Sequence, residues 1–333
     1  MSLRTALTLT SFLASLLGLA NVANACFPAL CTSRPDTLPD NNSNWWCNPS
    51  EEYAFLGFSY DVTACQDSSQ LRKDFKTLRE KFNSRYVRLH GACDSKSFYD
   101  EVIEAAWENN LGVHALIWFG SDGDDRWKSR RDALLATLHS NPRAPFVTRV
   151  VQFGSQPLFD FVLDPAALAQ QVKAAQENLK PLGIPVTISE IAFGYQQGNG
   201  VEVLDAVDSI NANMLPYLNK NASTGANAWP AVLEDLDWFI AHGKGKKIYL
   251  DENGWPSATS PEVQPNSPNA VADVSNEEAY YKLLDSKCEF FRGVAGGGVG
   301  WFSHMYSDQK EPGYGIYDSN GMLKFPFQPR TEC

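Results

Sequence analysis

Acids, amides and tryptophans sit at the ends of short apolar runs along this chain. YVRLH supplies Arg88 and His90, with Asp94 just beyond, and GVHALIW ends at Trp118. VVQFGSQPLFD passes through Ser155 and Gln156, PVTISEIA reaches Glu190 with Tyr195 following, and SINANMLP holds Asn213. KIYLDENGWPS groups Asp251, Glu252, Asn253 and Trp255, and GVGWFSHM carries Trp301 and His304. Indole faces stack on sugar rings while planar polar groups read hydroxyls, so this inventory suits a carbohydrate cleft. Other chemistries lack their parts: there is no HExxH-type metal spacing, no GxSxG elbow and no glycine-rich phosphate loop after the first apolar run. The residues ask for no cofactor and no metal. A formal net charge of -11 leaves no basic patch to neutralise phosphates, which excludes nucleic acid as the expected partner.

Eight such runs must position these groups: Phe55–Val62, Tyr86–Cys93, Gly112–Trp118, Val150–Gly154, Pro185–Ala192, Ser209–Pro216, Lys247–Gly254 and Gly298–Met305. Their length and β-branched content read as buried parallel strands. Amphipathic segments lie between most of them. SSQLRKDFKTLREKF spaces Leu71, Phe75, Leu78 and Phe82 three or four apart. SFYDEVIEAAWENN follows the second run, PAALAQQVKAAQENLKPLG the fourth, AWPAVLEDLDWFIAHGKG precedes the seventh and SNEEAYYKLLDSKCEFFRG the eighth. Gly183, Gly243 and Gly293 stand where helices should stop. This alternation predicts an α/β fold, a single-domain (β/α)8 TIM barrel, over a doubly wound open sheet. The active site of such a barrel lies at the C-terminal ends of its strands. The Pro-, Ser- and Asn-rich stretch after the seventh run reads as a surface loop near the mouth rather than a linker.

The first 25 residues have an early Arg4, an apolar stretch and an Ala-Asn-Ala ending, the layout of a cleaved secretory leader. The apolar stretch is too short and interrupted for a membrane anchor, and the tail KFPFQPRTEC lacks the hydrophobic run of a lipid-anchor signal. Residues 26–53 read as an irregular N-terminal extension and 54–333 as the barrel, secreted to the medium or cell wall as a soluble monomer. The 7 cysteines show no zinc-type pairs, so disulfides are expected. Cys65 with Cys93 and Cys288 with Cys333 are the expected pairs, leaving one of Cys26, Cys31 and Cys47 over. Asn41 and Asn221 head two glycosylation sequons.

The motifs YVRLHGACD, VQFGSQPLFD, PVTISEIAFGYQ, NANMLP, DENGWPS and GGGVGWFSHMYSD resemble glycoside hydrolase family 17, in particular fungal secreted members that act on β-1,3-glucans. The resemblance runs from about Phe55 to Cys333. It implies a retaining glycosidase whose nucleophile is the glutamate of an E-x-G-W-P-S motif on strand seven, matched here by Glu252. It also implies an acid/base glutamate at the end of strand four in a G-[NS]-E context. Here the sequence is Gly154-Ser155-Gln156.

A retaining glycosidase holds its two carboxyl groups about 5 Å apart across the bond. Glu252 can attack, but Gln156 can only donate an N–H hydrogen bond and cannot deliver or accept a proton. The expectation is therefore strongly impaired hydrolysis with glucan binding retained. The alternative is an active endo-β-1,3-glucanase or β-1,3-glucanosyltransferase that uses another proton donor. The expected substrate contacts are Arg88, His90, Trp118, Ser155, Glu190, Tyr195, Asn213, Trp255 and Trp301. By the family resemblance Arg88 orients the nucleophile. Trp255 and Trp301 should stack on sugar if they are not plain core, Tyr195 should hydrogen-bond Glu252 or substrate if it does not simply pack, and Glu190 should hydrogen-bond within the cleft. His90 and His304 read as polar wall, Asp160 as a helix cap, and Asp251 as pointing to the opposite face of its strand from Glu252.

Overall fold

The computed structural model describes residues 26–28, 37–120, 125–261 and 263–333. The expected leader and Cys31 lie outside these residues. Eight parallel strands close into a barrel in chain order: β1 (Ala54–Asp61), β2 (Tyr86–His90), β3 (Gly112–Leu116), β4 (Thr148–Ser155), β5 (Val186–Glu190), β6 (Ile210–Met214), β7 (Ile248–Asn253) and β8 (Val299–Ser303). The expected (β/α)8 architecture is the observed one, and each strand falls on an expected apolar run.

Helices cover the outside: α1 (Ser68–Phe82), α2 (Phe98–Glu108), α3 (Arg126–Ser140), α4 (Ala144–Val147), α5 (Pro165–Leu179), α6 (Ala192–Gln196), α7 (Gly200–Ala206), α8 (Trp229–His242), α9 (Val274–Ser286) and α10 (Cys288–Gly293). α1 buries Leu71, Phe75, Leu78 and Phe82, starts at Asp67, which accepts from Gln70 N, and stops at Asn83 with φ 54. The last helical segment of the sequence divides at Lys287 into α9 and α10. α5 begins at Pro165 and is capped by Asp164, whose carboxylate accepts from Ala167 N at 3.0 Å. Asp160, expected to cap, does not; it lies exposed in the turn after β4.

Two irregularities shape the mouth. The β4–β5 register slips between Gln152 and Ser155, and the β6–β7 register slips between Ala212 and Asn213. Extra residues on one strand re-aim the side chains that follow them. On β7 the slip falls at Asp251. Both Asp251 and Glu252 consequently approach Arg88, at 3.8 and 2.6 Å, which corrects the expected opposition of the two acids.

The barrel interior is polar near the mouth, around Arg88, Gln152, Ser189 and Asp251, and apolar lower down. A lower layer of Leu56, Tyr86, Tyr249 and Phe302 surrounds His114, whose imidazole is held well below its usual range by burial and by the charges of Arg149 and Arg88. The N-terminal extension seals the base. Trp45 stacks on Phe27 and donates to Phe146 O at 2.6 Å, and Trp46 stacks on Tyr86. Asn48 and Glu51 form a capping box on a short 3-10 turn that delivers Glu52 under the barrel, fully buried. There Arg149 reaches both carboxylate oxygens at 3.0 and 3.2 Å, and the Tyr86 and Tyr249 hydroxyls donate to them. Lys247 Nζ donates to the carbonyls of Pro49, Glu52, Gly297 and Gly298.

Disulfides join Cys65 to Cys93 and Cys288 to Cys333 as expected, and Cys26 to Cys47 in the extension. The loop after β7 is pinned at the rim, with Trp255 Nε1 donating to Val271 O and Val271 N to Ser223 O. No described helix is long and apolar enough to cross a membrane.

Candidate active site

The C-terminal end of β7 presents Glu252, 5% exposed at the floor of the mouth. Its Oε1 accepts from Arg88 Nη2 and from Ser155 Oγ, each at 2.6 Å, and lies 3.6 Å from His90 Nδ1. Among the described residues nothing donates to Oε2. One carboxylate oxygen is therefore fixed while the other accepts no hydrogen bond among the described residues. Burial alone would raise the Glu252 carboxyl, but Arg88, His90 and His304 outweigh it and hold the group well below its ordinary range.

Arg88 is itself fixed on all sides. Its Nε donates to Gln152 Oε1 at 2.9 Å, and Gln152 in turn donates to Asp251. Its Nη2 also donates to Ser189 Oγ at 3.1 Å, and Nη1 lies 3.0 Å from His90 Nδ1. The other ring nitrogen of His90, Nε2, lies 3.4 Å from Glu311. Glu311 also meets His304 Nε2 at 3.1 Å, bridging the two imidazoles. Against the burial that would raise it, His304 and His90 hold its carboxyl at about 2. The His90 imidazole is raised, because the Glu252 and Glu311 charges overcome burial and Arg88. Glu311 sits in the irregular loop after β8, where no period marks it in the sequence.

Across from Glu252, the end of β4 turns through Gly154 at φ 103 and Gln156 at φ 52. A Cβ on Gly154 would stand 2.7 Å from the Phe119 ring, so this turn needs glycine. Gln156 N donates to Ser189 O at 2.7 Å and its carbonyl accepts from Asp160 N at 2.9 Å. Its half-buried side-chain amide makes no hydrogen bond among the described residues. A non-glycine residue held at positive φ is strain that persists only where the surroundings enforce it.

Glu190 supplies part of that enforcement. Its Oε2 accepts from Leu158 N at 2.7 Å and Phe159 N at 3.2 Å, and its Oε1 from Ile191 N at 2.9 Å. Burial pushes the carboxyl up to about 8, only partly offset by these N–H groups. It has no exposed surface, so its work is to pin the loop after Gln156, not to touch a substrate as expected.

The remaining expected contacts divide. Trp118 is half-buried at the rim, with Arg130 over its ring at 5.2 Å. Trp255 and Trp301 are 0% exposed, packed on Tyr217 and on Tyr281 respectively. A ring without exposed surface has no face for a sugar, which corrects their expected stacking role. Tyr195 is likewise sealed, stacked on Trp238 with its hydroxyl unpartnered, and it does not reach Glu252. Asn213 accepts from Ser189 Oγ at 2.6 Å, while its buried Nδ2 is unpartnered.

His90, Glu252 and His304 bring potential ligand atoms within 4.8 Å of one another. Arg88 already donates to Glu252 and faces His90 Nδ1, so a cation there would meet a guanidinium instead of free lone pairs. Cys26 and Cys47, which approach Glu51, are joined as a disulfide and cannot ligate. The geometry is that of a buried carboxylate held by Arg88 and Ser155 in a hydrogen-bonded mouth.

Residues 55–320 match the BtgE/BtgC glycoside hydrolase domain. The Aspergillus oryzae protein named "Probable glucan endo-1,3-beta-glucosidase eglC" is 22% identical over 260 residues, 70% of this chain and 54% of that protein. The Aspergillus clavatus protein named "Probable beta-glucosidase btgE" is 23% identical over 233 residues, 66% of this chain and 39% of that protein. The chain thus spans about half, or less, of the length of these relatives. The glycoside hydrolase family 17 β-1,3-glucanosyltransferase of Rhizomucor miehei superposes with a TM-score of 0.66 at 22% identity, covering 84% of this chain and 98% of that one. An active-site mutant of that transferase in complex with laminaritriose gives 0.65 at 20% identity, over 82% and 97%. At these identities the likeness is one of fold.

Proposed function

The chain belongs to the BtgE/BtgC glycoside hydrolase family, and from that premise we propose that it recognises β-1,3-glucan in the barrel mouth with little power to cleave it. Glu252 occupies the nucleophile's place and Gln156 the proton donor's. The observation that carries this reading is the half-fixed Glu252 carboxylate at the end of β7, in a chain with an amide, Gln156, just past the end of β4. The amide can donate to a glycosidic oxygen, so the mouth keeps its shape for glucan. It cannot protonate a leaving group or activate water, and the loss of general acid–base catalysis lowers rates by roughly 10²–10⁴-fold. Ser155, His90 and Trp118 line the sugar site, and the buried Arg88 fixes Glu252 behind them. Residues 26–53 serve as a base for the barrel of residues 54–333, and the three disulfides suit an oxidising compartment outside the cell. Residues 1–25 are read as the leader that sends it there.

Gln156→Glu tests this reading. With a laminarin-type glucan, the natural chain is expected to release little or no sugar and the variant at least about 10²-fold more. Equal rates would overturn the reading. An aryl glucoside whose leaving group needs no proton, with azide as nucleophile, is expected to restore turnover through Glu252, and Glu252→Gln should abolish that rescue.

One observation favours a second reading, in which the chain is an active glucanase or glucanosyltransferase. Asp160 follows Gln156 by one turn, is exposed and makes no side-chain hydrogen bond among the described residues, and its carboxyl is raised by burial and the Glu252 charge. Measurable glucan cleavage by the natural chain that disappears in Asp160→Asn would establish that reading in place of the first.

A further inference from the structure

The turn that follows Gln156 and the helix that follows β5 hold three phenylalanine rings in solvent: Phe159 is 43% exposed, Phe161 79% and Phe193 53%. Phe159 and Phe193 meet edge to face, with centroids 6.3 Å apart, across the ends of β4 and β5. Scattered exposed apolar residues need no explanation, but aromatic rings gathered beside a mouth do. Their support is rigid. Glu190 grips the Leu158 and Phe159 N–H groups, Phe161 N donates to Leu158 O at 3.2 Å, and Val162 N to Pro157 O at 3.1 Å. Phe161 itself stands at φ 53, a conformation that a bulky residue resists, so strain is spent holding an apolar ring outward.

The position of the patch assigns its ligand. A side chain in the proton donor's seat faces the oxygen that leaves, so residues just beyond it on the same turn flank the leaving-group half of the substrate. We propose that Phe159, Phe161 and Phe193 form an aromatic platform for the leaving-group side of a β-1,3-glucan chain, stacking on glucose units beyond the bond held at Gln156. This rests on the glucan reading above. Uncharged rings at the ends of β4 and β5 suit a neutral sugar, while the exposed Asp160 between Phe159 and Phe161 disfavours an anionic polysaccharide.

Calorimetry on the full chain with laminarioligosaccharides of increasing length tests the platform. Affinity of the natural chain is expected to rise about 10-fold from the shortest to the longest ligand. The double variant Phe159→Ala/Phe193→Ala should lose most of that rise, with less than about 2-fold change for the disaccharide. Phe159→Trp should keep it, and thermal melting should show all variants folded. Equal losses at every length, or none, would overturn the platform while leaving glucan recognition standing. A change from dimer to monomer in sedimentation on removing the rings would mark the patch as a self-association surface and overturn it too. Failure of the natural chain to bind any of the oligosaccharides would defeat the glucan reading itself, and the platform with it.

Discussion

Each end of the barrel sets a buried carboxylate against an arginine, and the two pairs are finished differently. At the base both oxygens of Glu52 are occupied, by Arg149 and two tyrosine hydroxyls, and Lys247 fills the carbonyls around it. At the mouth, among the described residues, the donors to Glu252 converge on Oε1 alone. A charge whose valences are all filled can only hold the fold together. One left half-filled can bind or react. Of the non-glycine residues at positive φ, Gln156 and Phe161 lie in the turn at the mouth. Positive φ is not confined to the mouth, since Ala54 opens β1 and Asn83, Asn110 and Lys244 stand in the turns that lead into β2, β3 and β7.

Removing the filled partner should break this contrast most forcefully. Glu52→Ala leaves Arg149 buried beside two tyrosines, and should cost about 3–5 kcal/mol of stability by denaturant titration. Glucan affinity per folded molecule should stay unchanged; a loss of affinity at constant stability would reverse the roles assigned to the two ends.

Acid and base titrations sharpen the contrast. Burial would raise Glu52, but Arg149 and the tyrosine hydroxyls outweigh it and its carboxyl is lowered. Its contribution is present above the unfolded carboxyl range and is lost as pH falls through the folded value. Glu190 is raised to about 8, so its contribution is full below the unfolded value and is lost as pH rises through about 8. Denaturation midpoints should fall at both extremes. Glu52→Gln is expected to flatten the acid limb and Glu190→Gln the alkaline one, and an exchange of these effects would refute both assignments. The smallest change is at the extension: Asn48→Ala should cost about 1 kcal/mol through loss of the cap, with no effect at the mouth.

What the sequence discloses depends on how each residue is displayed. Strands are legible because a strand buried on both faces reads as a short, mostly apolar run, as in VVQFG with its single polar Gln152. α3 is not, because RWKSRRDALLATLHS buries only Trp127, Leu134, Thr137 and Leu138 and carries no continuous apolar stripe. α6 and α7 are too short to show a period. Glu252 and Gln156 are legible through motif and strand end together. A strand end does not, however, say which way an indole turns, and Trp255 and Trp301 turn into the core. Glu52 and Glu311 sit in irregular segments, and only the folded chain brings them to Arg149 and to the two histidines.

The position of the extension has a practical consequence. Cys26 and Phe27 are fastened beneath the barrel, beside Trp46 and the Tyr86 layer, on the face opposite the mouth. A linker to a bead or sensor chip attached ahead of Cys26 would hold the molecule by its closed end, with the mouth and its aromatic rim turned to the solution. Oriented capture of this kind would let long glucans reach the site without steric hindrance from the support.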